Sequence, residues 1–408
     1  MKYVSGKYTS GELLRNIRAI EDWISDYFEK NGPITDAVLQ KDMDERVRDA
    51  SFGKNAVLFD DAGNPSIMVR IPMGLLSELV AGWPENLHPA FIVNGLAKSE
   101  IWIGKYQGTT VTNDDTKTRA VSLRRKDPKV YIDFDSALTV CKDKGSGWHL
   151  MTNVEWAYIA LWCKKNGFWP RGNNSYGNDY ARTEEWGEVT HIYSGTTKGR
   201  VATGTGPAPW SHDGSPFGVF DLNGNVWEWV GGLRLKDGEI QILENNNAAD
   251  SSKDQSASSL EWKAILQDGS LVDPGTADSL KFDSPNPLTD DGTTQDQGAQ
   301  FLSTTVVNGD PTGGTWGDGC YDSNSVLFQE LSAASGVTVP DLLKQLGVFP
   351  VDSDHGGDKF YLRNYGERLA LRGGHWNDAS YAGVFALYLN NARSDSLYSL
   401  GFRPAYIG

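Results

Sequence analysis

Hydrophobic positions follow three regimes along the chain, and the first is helical. Leu13, Ile17, Ile20, Ile24 and Tyr27 recur at alternating four- and three-residue steps, which places them on one stripe of a helix over residues 10–29 that Ser10 can cap. The spacing is also heptad-like. The stripe therefore either packs on its own domain or joins copies of the chain as a homo-oligomer. Asn-Gly-Pro at 31–33 ends this helix, and TDAVLQKDMDERVRDA suggests a second one. In AVLFDDAGNPSIMVRIP (56–72) two apolar runs flank Asp-Ala-Gly-Asn-Pro, the pattern of a hairpin.

From residue 99 the pattern changes to short strands, helices and many glycines. YIDFDSALTVCKDKG (131–145) and MTNVEWAYIALWCKKNG (151–167) read as helices ended by glycine, the second capped by Thr152 or Asn153. Trp156, Ile159, Ala160 and Cys163 share one face of it and are expected in a core. Over 240–320 apolar runs are short and Asn, Asp, Ser, Gly and Thr dominate, as in a surface insertion of loops and short strands. A short helix, VPDLLKQLG (339–347), precedes the C-terminal segment. There AGVFALYLNN (382–391) alternates as a strand, with Phe385, Leu387 and Leu389 toward a core and Val384, Ala386, Tyr388 and Asn390 outward.

Composition narrows the function classes. Fourteen Trp and 45 Gly suit a loop-rich fold anchored by large aromatics. A net charge of −15 repels phosphate backbones, and the basic run at 124–126 is too short to offset it, so nucleic acid is not an expected partner. Cys141, Cys163 and Cys320 are odd in number and far apart, which fits neither a disulfide framework nor a zinc site. The start of the chain lacks a signal-peptide core, and no apolar run reaches about eighteen residues. The chain is expected to be soluble without membrane insertion, with display on a virion or cell surface needing another route.

Three segments in order carry a resemblance: HLMTNVEWAYIA (149–160), FGVFDLNGNVWEWVGG (217–232) and LRGGHWN…GFRPA (371–405). Together they resemble the formylglycine-generating-enzyme branch of the C-type lectin fold. The resemblance implies an α+β architecture. Residues 1–95 would form a helical and hairpin module for attachment or oligomerisation, and 96–408 the lectin-like domain, with an insertion at about 233–370. In GNVWEW a strand would set Trp227 and Trp229 on one face and Glu228 on the other, where its carboxylate needs a partner. The family implies a structural calcium there, held by Asn223, Gly224, Val226 and Glu228; oxygen ligands suit that ion. Capping of backbone donors by Glu228 is the alternative.

Enzymes of this family use a cysteine pair between RGG-x-W and GFR, and residues 377–400 contain no cysteine. The related sulfoxide synthases use clustered histidines, whereas the six here are scattered. No catalytic residue or required cofactor is expected.

The segment instead is similar to the variable region of diversity-generating retroelement proteins, over 372–403. In that family, adenine mutagenesis of template Asn codons cannot yield Lys, Glu, Gln, Met or Trp, and 377–400 contains none of them. The resemblance implies a non-enzymatic binder of a macromolecular target, a protein or cell-surface ligand. Its contacts would come from His375, Asn377, Asp378, Ser380, Tyr381, Tyr388, Asn390, Asp395, Leu397, Tyr398 and Ser399. Tyr, Ser, Asn and Asp are also favoured in antibody loops. Arg393 and Arg403 are assigned to charge pairs of the frame, and Trp376 to the core. An oxidase on the same fold and a calcium-dependent lectin of fixed specificity are the alternatives.

Overall fold

A computed structural model describes residues 10–286, 299–308 and 325–408. Helix α1 spans Ser10–Asn31 and α2 spans Ala37–Ala50, where the Asp36 carboxylate accepts the Val38 N–H at 2.9 Å as N-cap. Ile17, Ile24 and Phe28 of α1 are buried with Met43 and Val47 of α2, and Leu13, Ile20 and Tyr27 pack against the same core. The stripe is spent on its own domain. An oligomer built through the stripe would have to unpack that core.

One antiparallel sheet contains β1 (Asn55–Phe59), β2 (Pro65–Pro72), β3 (Glu100–Gly104), β4 (Trp148–Leu150) and the C-terminal strand Pro404–Tyr406, which lies between β3 and β4. The hairpin pairs from Asn55↔Val69 to Phe59↔Pro65. Because β2 pairs with β3, the sheet runs across residue 95, and no break in packing coincides with that boundary.

Helix α3 (Phe134–Lys142) is capped by Asp133, and α4 (Asn153–Lys165) by a capping box. Thr152 Oγ1 accepts the Glu155 N–H at 3.2 Å, and Glu155 Oε2 accepts the Thr152 N–H at 2.9 Å. Almost every residue of α4 is buried, so its Trp156 face is only part of its contact. Even Glu155 is inside, where His149 Nε2 lies 2.9 Å from its carboxylate and Asn246 donates at 3.0 Å.

The second sheet has β5 (Trp227–Lys236), β6 (Lys359–Leu362), β7 (Glu367–Gly373) and β8 (Gly383–Leu389) in the order β6-β8-β7-β5. Leu400–Phe402 adds in parallel along the start of β5, pairing Trp227↔Leu400 to Trp229↔Phe402. Glu239–Ile242, Lys281–Asp283 and Phe301–Ser303 extend the sheet beyond β5. The insertion is therefore not only surface loop: Ile240, Ile242, Ile265, Phe282 and Leu302 enter the largest core. Short apolar pairs in a polar run each fill one place in a sheet, which composition averages away.

Strand β8 corrects a second expectation. It lies between β6 and β7, and α4 covers it, with Trp156 Nε1 donating to Val384 O at 2.8 Å. Phe385, Leu387 and Leu389 are buried as expected. Val384 (1% exposed), Ala386 (0%) and Asn390 (3%) are buried too, and only Tyr388 is half-buried. Alternation marks an outward face only where a sheet is covered on one side.

Candidate ligand-binding surface

The loop entering β5 ties the frame together. Asp221, Gly224 and Asn225 have left-handed backbone, with φ of +63°, +80° and +64°. Their loop turns its carbonyls on Gln107, whose Nε2 donates to Asp221 O (3.2 Å), Gly224 O (3.4 Å), Val226 O (3.1 Å) and Glu228 Oε1 (3.0 Å). Asn225 Nδ2 donates to Gln107 Oε1 at 2.8 Å, which orients the amide. Opposite, Arg403 Nε and Nη2 grip the Glu228 carboxylate at 2.9 and 2.7 Å, with both side chains buried.

The four residues implied as calcium ligands do not fit that ion in this arrangement. Arg403 neutralises Glu228, and an amide donor takes the Gly224 and Val226 carbonyls. Asn223 faces elsewhere, donating to Pro170 O at 2.8 Å and accepting from Asn174 Nδ2 at 3.0 Å. A dication beside the buried guanidinium would be repelled.

Asp221 carries a pH dependence. Burial pushes its carboxyl up to about 6, its Oδ2 accepts the Gly204 N–H at 3.0 Å, and its Oδ1 has no partner among the described residues. A folded pKa above the unfolded value means the native state binds the extra proton, so this group's contribution falls as pH rises from about 4 to 6. Asp221→Asn, which tolerates the left-handed backbone, is expected to raise stability by roughly 1–3 kcal/mol at pH 8, with the gain shrinking toward pH 4. Urea denaturation at both pH values measures this, and no gain at pH 8 would contradict the burial described.

The framed segment starts where β7 ends. A Cβ at Gly374 (φ +86°) would lie 2.4 Å from Ala382 Cβ, so only glycine fits the close return of the chain. The turn that follows is closed by Asp378, whose Oδ2 accepts the His375 N–H at 2.7 Å and lies 2.7 Å from His375 Nδ1. Trp376 is buried, as expected, but beneath an aromatic group rather than in an aliphatic core. Its ring centroid is 5.5 Å from Tyr176, 4.8 Å from Tyr193 and 6.0 Å from Tyr398. Burial, the neighbouring Tyr193 and the nearby Asp378 raise the Tyr398 pKa, so its phenol stays neutral.

The expected contact residues divide. Asn377, Ser380, Tyr381 and Leu397 are exposed, while His375, Asp378, Asp395 and Tyr398 are partly exposed. His375 and Tyr398 meet around Trp376. Asp395 is used within its turn, accepting from Asn391 Nδ2 and the Ala392 N–H, both at 2.9 Å. Tyr388 belongs to a different cluster, 5.2 Å from Trp227 and 5.0 Å from Tyr361. Asn390 and Ser399 are not surface residues: they are 3% and 7% exposed, because each lies where its strand joins the sheet. Arg393 pairs with Glu367 and Asp135, and Arg403 with Glu228, as charge pairs of the frame.

Tyr176 and Tyr193 were not among the expected residues. Tyr193 lies on a small exposed hairpin, Ile192–Ser194 with Thr197–Lys198. The available signal was the run of Tyr176, Tyr180, Trp186 and Tyr193 with few aliphatics around them. Tyr180 also lines a notch of about 100 Å³ beside Ser380 and Asp358. Burial holds the Asp358 carboxyl well above the usual carboxylate range, and it accepts the Phe385 N–H at 2.7 Å.

Cys141 and Cys163 are buried free thiols whose pKa burial raises, and Cys320 lies outside the described residues. Among the described residues no group of three or more His, Cys, Asp or Glu side chains could hold a metal ion.

No curated protein matches the sequence. Among solved structures, PvdO from Pseudomonas aeruginosa is similar at 14% identity and a TM-score of 0.33, covering 86% of this chain and 98% of that one. The Treponema denticola variable protein 1 follows at 10% identity and a TM-score of 0.29, covering 87% and 99%. The Major Tropism Determinant P3c variant gives 11% and 0.27, covering 86% and 71%. A family model, FGE-sulfatase (sulfatase-modifying factor enzyme 1-like domain), matches residues 21–252. The match takes in most of the first ninety residues, which the motif resemblance had left out, and stops short of the framed segment. Spanning more than half of the 408 residues, it shows that the chain belongs to the sulfatase-modifying factor enzyme 1-like family, with its α+β, C-type lectin-like fold.

Proposed function

We propose that this chain is a non-enzymatic binding protein whose contact surface is the turn 375–381, the turn 392–398 and the aromatic hairpin beside them. One observation carries the reading: beside the side chains of its frame, the turns of the segment are tied to the rest of the chain at several points through their own main chain. Tyr176 N–H donates to Trp376 O at 2.7 Å, Ala379 N–H to Asn174 O at 2.8 Å, and Tyr131 N–H to Leu397 O at 3.0 Å. Arg200 donates to Tyr398 O at 3.1 Å, and Trp227 N–H to Ser399 O at 2.9 Å. Any residue except proline at an anchored N–H offers the same backbone groups. The exposed side chains at 377, 380, 381 and 397 are therefore free to change while the frame stays. Around them Tyr176, Tyr193 and Tyr398 offer rigid amphipathic area suited to a macromolecular target.

In this reading residues 372–403 are diversified through mutagenesis of template adenines, and the target is a protein or cell-surface ligand. No helix among the described residues is long and apolar enough to cross a membrane. Sequencing the coding DNA for 372–403 and its flanks across a population tests the proposal. A near-identical repeat close by is expected, with differences confined to template adenines and concentrated at codons 375, 377, 380, 381, 397 and 398. An invariant segment without a repeat would end the retroelement reading.

A further inference from the structure

A cleft of about 300 Å³ lies away from the framed segment, between the turn after α2, strand β2, helix α4 and residues 212–217. That size is at the lower end for small-molecule sites. Its walls are apolar, with Val69, Ile71, Ile159, Trp162 and Phe217 among them. Its polar side chains include several donors beside the Asp213 carboxylate. His212 Nδ1 accepts the Val219 N–H at 2.8 Å, which leaves the proton on Nε2. Burial lowers the His212 pKa, so the ring is neutral and Nε2–H donates. No acceptor among the described residues takes up His212 Nε2–H, the Trp162 indole N–H or the Tyr158 hydroxyl. None of the three is sealed from solvent.

Lys54 stands at the rim, its Nζ 5.9 Å from the Phe217 ring and without a carboxylate at ion-pair distance among the described residues. The second rim cation, Arg70, pairs with Glu100. The one carboxylate in the lining, Asp213, is used inside its own turn, accepting from Ser211 Oγ (3.2 Å), Ser215 N–H (2.9 Å) and Ser215 Oγ (2.9 Å).

The rim also holds backbone strain. Phe52 takes the left-handed position that ends α2, with φ +57°, yet is 50% exposed. Glycine is the usual residue there, and a bulky side chain costs stability. The conformation sets the Phe52 ring edge-on to Phe217, centroids 6.0 Å apart, at the cleft mouth. Strain kept at a half-exposed aromatic is a feature of ligand clamps.

We propose that this cleft binds an apolar monocarboxylate. Its hydrocarbon lies against Ile159, Trp162 and Phe217 beneath the Phe52 ring, and its carboxylate takes up the donors of His212, Trp162 and Lys54. None of these residues is in the framed segment, so the site is independent of the contact surface proposed above.

Calorimetric titration of the whole chain with decanoate, decanol and decyltrimethylammonium tests it. Saturable one-to-one binding of decanoate is expected, with decanol at least about tenfold weaker and no binding of the cation. Lys54→Ala, at an exposed position, is expected to weaken decanoate roughly tenfold and leave decanol unchanged. Phe52→Gly keeps the left-handed turn and is expected to weaken both ligands. Near-ultraviolet circular dichroism checks that both variants stay folded. Absence of saturable decanoate binding, decanol matching decanoate, or either variant binding decanoate as the parent does would overturn the assignment.

Discussion

Glu21→Ala is expected to lower stability by about 3–5 kcal/mol. Glu21 is completely buried in α1 and receives the Lys105 ammonium at 2.7 Å and the Tyr106 hydroxyl at 2.6 Å. Lys105 also donates to Asn55 Oδ1 at 3.0 Å, so one carboxylate links α1 to β1 and to the residue after β3. Removing it strands an ammonium in the core. Burial already lowers the Lys105 pKa. With a folded value below the unfolded one, the unfolded state binds more protons, and stability rises with pH in that window. The Glu21→Ala deficit is therefore expected to shrink as pH rises toward the ordinary lysine range, about 10. Replacing the pair together, Glu21→Leu with Lys105→Met, should recover more than half of the loss, because a packed apolar pair needs no desolvation of charge. Urea denaturation of both singles and the double gives the cycle. A loss under about 1 kcal/mol for Glu21→Ala would mean that α1 is not docked on this domain.

Arg403→Met is expected to cost a similar amount, about 3–5 kcal/mol, for a different structural reason. Arg403 not only neutralises Glu228; it donates to Gly104 O and Phe220 O, both at 2.9 Å. It thereby joins β3, the residue before the 221–228 loop and β5 across the two sheets. Its loss leaves a buried carboxylate held only by Gln107, along with two freed carbonyls. Because a guanidinium and an amide already supply the donors of this loop, adding a chelator or calcium should leave the parent's unfolding midpoint unchanged. A midpoint that rises with calcium and falls with chelator would reinstate the ion at Glu228.

Local features were legible where the pattern repeats over a few residues. The stripe in α1, the β1–β2 hairpin and the Thr152 cap needed only spacing and neighbouring residue types. Trp227 and Trp229 share a core cluster and Glu228 faces away, as a period of two requires. What neutralises Glu228 was not legible. Arg403 is 175 residues away and Gln107 is 121, and no local rule links them. The implied calcium ligands do not fit the ion for that reason: their oxygens are present, but distant side chains already serve them.

The candidate surface divides in the same way. Exposed turn residues such as Asn377, Ser380 and Leu397 could be read from the segment itself. Asn390 and Ser399 could not be excluded from it, because their burial depends on which strands flank them. Tyr176 and Tyr193 escaped notice because a loop some two hundred residues earlier brings them to Trp376. Sequence alone determined the longer helices and the first hairpin, the division of Trp227 and Trp229 from Glu228, and the family-like frame. Tertiary structure alone decided that α1 packs inward, that β8 is covered on both faces, and that Arg403 answers Glu228. Periodicity records which way a side chain points within its own element, whereas its partner is set by the elements that long-range topology brings against it.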